Sequence, residues 1–168
     1  TRGKTASGWI SFQEYFVKEQ CRPEITDLEY VGLKSAKVTD EALQAIRTSD
    51  LIVLAPSNPL VSIDPILKIG DIHQQLVGAD AQVFAVSPLI AGKVVKGPAD
   101  RRMTALGRRA DAVGIAEHFR GLVNRLYIDH TDEALAPQGE QNGMSCAVSP
   151  ILMKDADDKA RLARTLLE

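Results

Sequence analysis

The sequence predicts an α/β fold built around a mostly parallel β-sheet, and three observations support this. Residues 51–55 form an unbroken apolar run with β-branched members, which is typical of a strand buried on both faces of a parallel sheet. Residues 81–87 form a second, mostly apolar strand, and the two strands end at Pro56 and Pro88, which cannot donate to a strand ladder. Segments with helical periodicity separate the strands. Strands that alternate with helices favour a right-handed, layered α/β arrangement.

The other elements follow from local signals along the chain. Residues 1–8 are polar and contain glycine, so they are predicted to be a loop. Ser11 and Glu14 fit a capping box, and Thr39 stands directly before two acidic residues, so each position predicts a helix start. The predicted helices cover residues 11–19, 40–47, 63–77 (broken at Gly70-Asp71), 99–106, 111–122 and 155–167. Further strands are predicted at residues 25–31, 126–128 and 144–149, and residues 131–143 are predicted to be polar and turn-rich.

Composition limits the class of protein. A chain of 168 residues fits one domain, so residues 1–168 are predicted to form a single α/β domain. The net charge of −2 is spread along the chain and only 5% of residues are aromatic, which argues against nucleic-acid and membrane partners. No apolar run approaches the roughly 20 residues of a membrane span, and no signal peptide opens the chain. Cys21 and Cys146 are far apart, which predicts neither a disulfide framework nor a metal site and favours a cytoplasmic protein.

The segments that follow the two apolar strands are the candidate binding site. Ligands of open α/β sheets bind where strands end and helix N-termini begin, because unpaired backbone amides there attract anions. Ser57, Asn58 and Ser62 either hold a phosphate or a base edge, or cap the backbone of a turn. Lys93 and Lys96 stand among glycines and either clamp phosphates or lie on a solvated surface loop. Because both loops follow consecutive strands, they are expected to share one crevice.

Other polar residues give weaker signals. The histidines are scattered without ligand spacing, which predicts surface or capping roles for His73, His118 and His130. Asp129 ends a predicted strand and either caps a turn or binds a metal or a ribose hydroxyl. The motifs GxGxxG, GxxxxGK[ST] and GxSxG are absent, so the dinucleotide, P-loop and hydrolase-elbow interpretations lack their key residues.

Two motifs together resemble the 2-phospho-L-lactate transferase family of coenzyme F-420 biosynthesis (CofD-like proteins). They are PSNPLVSIDPIL at residues 56–67 and VSPLIAGKVVKGPAD at residues 86–100. GWISFQEYFV near the start and KARLARTLLE at the end are similar to the same family. The resemblance covers essentially the whole chain but matches only the C-terminal half or so of a family member. It implies a three-layer, Rossmann-like, mostly parallel sheet that is incomplete here. Ala91 stands where a second glycine is expected.

The resemblance implies a transferase. Family members move a 2-phospholactyl or phosphoenolpyruvyl group from a guanosine diphosphate-linked donor to the ribityl hydroxyl of a deazaflavin acceptor, with Mg²⁺, and release GMP. By position in the motifs, the implied nucleotide- and phosphate-binding residues are Ser57, Asn58, Pro59, Ser62, Ser87, Gly92, Lys93, Lys96 and Gly97. The family's glycine-rich first loop and its metal- and deazaflavin-binding acidic residues belong to the half that is not matched. The isolated chain is therefore predicted to transfer weakly or not at all, and to self-associate as a homo-oligomer through an exposed apolar sheet edge.

Two other functions remain open from the sequence. A related branch, the gluconeogenesis factors, comprises regulatory proteins that bind a sugar nucleotide and are expected to have a first loop richer in glycine and serine. Ser57, Asn58 and Pro59 favour the transferase over that branch. The second alternative is a non-catalytic α/β interaction module that keeps the core without the reaction.

Overall fold

The structure is a computed structural model that describes residues 1–94 and 107–168, so the helix predicted at residues 99–106 lies outside the described residues. The strands are β1 (Arg2–Thr5), β2 (Gly8–Ser11), β3 (Asp27–Glu29), β4 (Leu51–Leu54), β5 (Gln82–Val86), β6 (Leu89–Ile90), β7 (Lys93–Val94), β8 (Arg125–Ile128) and β9 (Ser145–Val148). The α-helices are α1 (Asp40–Thr48), α2 (Asp64–Leu67), α3 (Ile72–Val77), α4 (Ala112–His118), α5 (Ala136–Glu140) and α6 (Ala156–Leu167). Two π-helical turns cover Glu14–Lys18 and Pro59–Ile63, and a 3₁₀-helix covers His130–Leu135.

The central sheet has the strand order β4-β5-β8-β9, and all of its neighbouring strands are parallel. Leu54 of β4 lies opposite Ala85 of β5, and Val86 of β5 lies opposite Tyr127 of β8. Parallel neighbours need a crossover between them, and the crossovers here contain α2 and α3, α4, and α5. The predicted α/β fold with a mostly parallel sheet is confirmed.

The sheet is covered on both faces, which makes three layers. Because successive strand residues point to opposite faces, Val83 and Ala85 belong to one core cluster and Val86 belongs to another. The larger cluster includes the buried face of α4 and of the residues that follow it, and its members there are Ala112, Ile115, Ala116, Phe119 and Val123. The smaller cluster joins Tyr127 to Leu162 of α6 on the opposite face.

Strand β4 lies at the edge of the sheet, and this corrects one expectation. Its apolar sequence predicts burial on both faces, yet 39% of the Val53 surface is exposed to solvent. The prediction is wrong for β4 because, among the strands that the structure describes, it pairs with β5 alone. In β5, which has a neighbour on each side, Val83, Ala85 and Val86 are buried.

The N-terminal residues form an antiparallel sheet with the order β2-β1-β3. The prediction of a loop at residues 1–8 is wrong, since β1 and the start of β2 fall within it. Arg2 pairs across the sheet with Glu29 at 2.6 Å, and Leu28 packs against the main core. These pairings join distant parts of the chain, so composition within residues 1–8 does not reveal them.

Side-chain caps fix several helix starts where the sequence places them. Thr39 Oγ1 accepts a hydrogen bond from the Ala42 amide at 3.3 Å, and the Glu14 amide donates to Ser11 Oγ at 3.1 Å. The segment predicted as one helix at residues 63–77 is divided into α2 and α3 around Gly70, whose φ is +50°. The prediction that residues 131–143 are turn-rich is wrong, because they contain most of the 3₁₀-helix and all of α5.

Within the described part of the chain, no helix is both long enough and apolar enough to cross a lipid bilayer. Cys21 and Cys146 are not joined to each other by a disulfide.

The second predicted loop contains a tight hairpin formed by β6 and β7. Ala91 and Gly92 are its two central residues, and their φ angles are +51° and +69°. Positive φ at both positions is what a type I′ hairpin turn requires. Ala91 therefore occupies a conformation that favours glycine, which accounts for the glycine expected at this position.

Replacing Ala91 with glycine should stabilise the protein. A left-handed non-glycine residue costs about 1–2 kcal/mol, and the added freedom of glycine in the unfolded chain offsets part of this. We expect Ala91→Gly to raise the free energy of unfolding by about 0.5–1 kcal/mol, measured by urea denaturation. Gly92→Ala is the matched control and should destabilise, because the φ of +69° at this position is strained for a residue with a Cβ. A loss of stability in Ala91→Gly would contradict this assignment.

Candidate functional site

The predicted site loops follow neighbouring strands at one edge of the sheet. β4 and β5 are adjacent and parallel, so the segments after Leu54 and Val86 leave the sheet side by side. β8 is the next parallel strand, and residues 129–132 leave the sheet beside them. We refer to the space between these three segments, residues 55–62, 87–94 and 129–132, as the sheet-edge crevice. Its position matches the general rule for ligand sites in open α/β sheets.

The first loop is held by a side-chain cap. Asn58 Oδ1 accepts hydrogen bonds from the backbone amides of Leu60 at 3.0 Å and Val61 at 3.3 Å. Pro59 is fully buried and starts the π-helical turn. Asn58 thus has a structural role in shaping the turn, while Ser57 and Ser62 beside it are half-buried. The structure brings these predicted residues together on one segment.

The second loop combines a buried serine with an exposed lysine. Ser87 is buried, and its hydroxyl donates to the Leu89 carbonyl at 2.9 Å and accepts from the Leu89 amide at 3.1 Å. Gly92 lies at the hairpin turn, and the Lys93 side chain is exposed. Of the predicted binding residues, Lys96 and Gly97 lie outside the described residues.

The third segment is tied to the hairpin by a buried carboxylate that the sequence does not single out. Asp132 is 4% exposed, and its Oδ2 accepts a hydrogen bond from the Ala91 amide at 3.0 Å. Asp129 caps the 3₁₀-helix, since its Oδ1 accepts from the Thr131 amide at 3.1 Å and from the Thr131 hydroxyl at 3.0 Å. The Asp132 contact links the exit of β8 to the exit of β5 and holds Ala91 in its left-handed conformation.

A second concave feature lies beside the first loop, between α2 and the end of α4. We call it the α2–α4 groove, and its volume is about 560 Å³. At its base His118 Nε2 lies 2.8 Å from Asp64 Oδ1, and both side chains are largely buried. Asp64 Oδ2 contacts Lys68 Nζ at 3.3 Å and Tyr30 Oη at 3.4 Å. The expectation that His118 has a surface or capping role is wrong, because the ring is buried in this network.

The contacts define the protonation of the network. Arg108 Nη1 lies 2.9 Å from His118 Nδ1, and arginine can only donate, so Nδ1 accepts and Nε2–H donates to Asp64. Burial alone would raise the pKa of Asp64, but the hydrogen bond from His118 and the charge and hydrogen bond of Lys68 outweigh it and hold the pKa below its ordinary value. Burial, followed by the negative charge of Asp64, raises the pKa of Tyr30. Tyr30 therefore stays protonated and donates to the Leu60 carbonyl at 2.5 Å.

No metal centre is evident in the part of the chain that the structure describes. Within residues 1–94 and 107–168, no three His, Cys, Asp or Glu side chains come together as a metal-binding group.

The family profile and the individual relatives that match this chain indicate the same family. The family profile described as 2-phospho-L-lactate transferase CofD matches residues 1–150. A 2-phospho-L-lactate transferase from Methanocaldococcus jannaschii is 35% identical over 161 residues, which cover 95% of this chain and 50% of that protein. A phosphoenolpyruvate transferase from Streptomyces griseus is 36% identical over 160 residues, with the same shares of the two chains. The chain therefore spans about half the length of the curated relatives that it matches.

Solved structures support the fold. Two crystal structures of protein BH3568 from Bacillus halodurans, a member of the UPF0052 family, match with TM-scores of 0.64 and 0.63. The matches cover 99% of this chain and 58% and 57% of the solved chains, at sequence identities of 16% and 14%. At this identity the likeness concerns the fold alone.

The Asp64 network should make stability depend on acid pH. Because the folded-state pKa of Asp64 lies below its ordinary value, the carboxylate stabilises the protein above that value, and the contribution is lost as the pH falls through the folded pKa. We expect Asp64→Asn to lower the free energy of unfolding at pH 7 by about 1–3 kcal/mol. The difference from wild type should shrink below about pH 4.

Urea denaturation at pH 7 and at acid pH measures this difference. Asp80→Asn, at an exposed carboxylate before β5, is the matched control and should change stability little at either pH. A difference between Asp64→Asn and wild type that grows on acidification would contradict the assignment.

Proposed function

This chain belongs to the CofD family of 2-phospho-L-lactate transferases, and we propose that it forms the part of such a transferase that holds a guanosine diphosphate-linked donor. The observation that carries the proposal is 35–36% identity to named transferases across 95% of the chain. The named relatives include both 2-phospho-L-lactate and phosphoenolpyruvate transferases. The proposal therefore names the transferred three-carbon acid only by its chemical class, a phosphorylated hydroxy acid or enol acid.

In this proposal the diphosphate of the donor lies in the sheet-edge crevice. The loop at residues 57–62 presents a turn shaped by Asn58, with Ser57 and Ser62 half-buried at its sides. Lys93 extends from the hairpin as an exposed cation and would offset phosphate charge. Pro59, Ser87 and Gly92 act through the backbone geometry that they set, since Pro59 and Ser87 are buried and Gly92 completes the turn.

The proposed reaction is a displacement at phosphorus. The acceptor hydroxyl oxygen forms a bond to the phosphorus of the phospho-acid, the bond from that phosphorus to the GMP oxygen breaks, and the hydroxyl proton is released. The protein contributes alignment of the two substrates and neutralisation of charge on the transferring group. We propose that Mg²⁺ is held by donor phosphates and by groups outside the described residues, because the described residues form no metal-binding group.

The isolated chain should turn over poorly. It spans about half of its transferase relatives, and we propose that the groups that bind the deazaflavin acceptor and the metal come from the other half of the family fold. We expect little or no deazaflavin product in an assay with the donor and Mg²⁺, measured by chromatography. A full-length relative assayed in parallel is the positive control. Turnover by the isolated chain that is comparable to the full-length control would show that the crevice is complete without that half.

Nucleotide binding tests the crevice directly. We expect the chain to bind GDP in preference to UDP-sugars when both are titrated with Mg²⁺ by calorimetry. Asn58→Ala, which removes the cap, should weaken GDP binding by about 1–3 kcal/mol. Asn58→Asp keeps an acceptor for the Leu60 and Val61 amides but adds a negative charge, so it should keep the fold and still weaken GDP binding.

Each outcome of this titration has a clear meaning. Preference for a UDP-sugar would favour a sugar-nucleotide-binding regulator, and binding of neither nucleotide would favour a non-catalytic interaction module. GDP affinity unchanged in both Asn58 variants would remove the first loop from the site. The unfolding temperature of each variant separates a loss of the turn from a loss of the ligand.

A further inference from the structure

The α2–α4 groove is separate from the sheet-edge crevice. None of its described lining residues belongs to the crevice segments 55–62, 87–94 or 129–132. Its walls come from α2 and α3 on one side and from Arg108 and the end of α4 on the other. The proposed donor site therefore leaves this space unassigned.

The polar side chains at the mouth of the groove are mostly cations and hydrogen-bond donors. Lys68 and Arg108 are exposed there, and His73 and Gln74 lie beside them. Among the described residues no carboxylate pairs with Arg108, whereas the neighbouring Arg109 is bound by Asp111 at 2.7 Å. Arg108 uses one N–H on His118, and within residues 1–94 and 107–168 no acceptor takes its other donors, which are directed to a ligand in the proposal below.

Asp64, the one carboxylate among the described lining residues, is already engaged. Asp64 Oδ1 accepts from His118, and Oδ2 contacts Lys68 and Tyr30. The Lys68 ammonium has three N–H groups and also lies 4.7 Å from the centre of the Tyr30 ring. Among the described lining residues two cations, Lys68 and Arg108, face the Asp64 carboxylate, and this balance of charge favours an anion.

Apolar side chains form the rest of the wall. Leu67, Phe119 and Leu122 are buried residues that line the groove, and Leu33 is half-buried at its side. A volume of about 560 Å³ lies within the range of about 300–1,000 Å³ that is usual for small-molecule sites. Such sites combine an apolar wall with a few polar groups that fix orientation.

We propose that the α2–α4 groove binds a small organic anion with an apolar body. Lys68 and Arg108 hold its carboxylate or phosphate, and the body packs on Leu67, Phe119 and Leu122. The site does not depend on the proposed nucleotide function, because the two share no described lining residue.

Titration with model anions tests the proposal. The probes are phenyl phosphate, benzoate, inorganic phosphate and the neutral benzyl alcohol, followed through backbone amide shifts in NMR spectra of the isotope-labelled chain. We expect phenyl phosphate or benzoate to shift the amides of Lys68, Arg108 and Leu122 with a dissociation constant of about 1 mM or lower. The relative affinity of these two probes identifies the preferred head group. Inorganic phosphate and benzyl alcohol should bind at least about tenfold more weakly, because each has only half of the recognised chemistry.

Variants test the residues. Lys68→Gln and Arg108→Gln should each weaken the better probe about tenfold, the effect of losing one charge-assisted hydrogen bond. Arg164→Gln, at an exposed position of α6 on the opposite face of the sheet, is the matched control and should stay within twofold of wild type. Lys68 and Arg108 are both exposed, so neither substitution should disturb the fold. Unchanged amide shifts in the rest of the protein would verify this.

Three results would overturn the proposal. They are an absence of groove shifts with both aromatic anions, equal affinity in the groove variants and the Arg164 control, and displacement of the probe by GDP with the same shifts. The last result would place the nucleotide in the groove. Failure of GDP to bind anywhere would refute the proposed function and leave the anion site intact.

Discussion

The parallel pairing of β4, β5 and β8 is the constraint on which the rest of the molecule depends. Parallel neighbours force each connection to cross from one end of the sheet to the other, so every exit loop leaves at the same edge. The crossovers that contain α2 and α4 pack over the same sheet face and share the main core. For this reason Asp64 and His118, which are 54 positions apart in sequence, meet within hydrogen-bond distance.

Features set by neighbouring residues could be predicted from the sequence. The strands at residues 51–55 and 81–87, the Thr39 cap and the break at Gly70 each depend on side chains a few positions apart, and all occur close to where they are predicted. The adjacency of the two motif loops also follows, because consecutive α/β units place consecutive strands side by side. The sequence also offers a turn capped by Asn58 as one of two interpretations, because the cap depends only on the amides two and three positions further along.

Features set by distant residues could not be predicted. Strand β1 looks polar and loop-like in sequence, and only its pairing with β2 and with β3 gives it a regular structure. The burial of His118 depends on a carboxylate from another crossover, and no spacing rule signals it. Asp64 does stand inside the PSNPLVSIDPIL motif, so its position within the recognised segment was the one available signal. Ala91 shows the opposite case, since the missing glycine is visible in sequence while Asp132, which holds the strained residue in place, is not.

The hydrogen bond from Tyr30 to the Leu60 carbonyl has a mechanical consequence. Tyr30 directly follows β3, so the small antiparallel sheet is attached to the π-helical turn that begins the first crossover. Any displacement of that turn must either carry the N-terminal sheet with it or break a short bond to a backbone oxygen. Movement of the π-helical turn is therefore coupled to movement of the N-terminal sheet through the Tyr30 side chain.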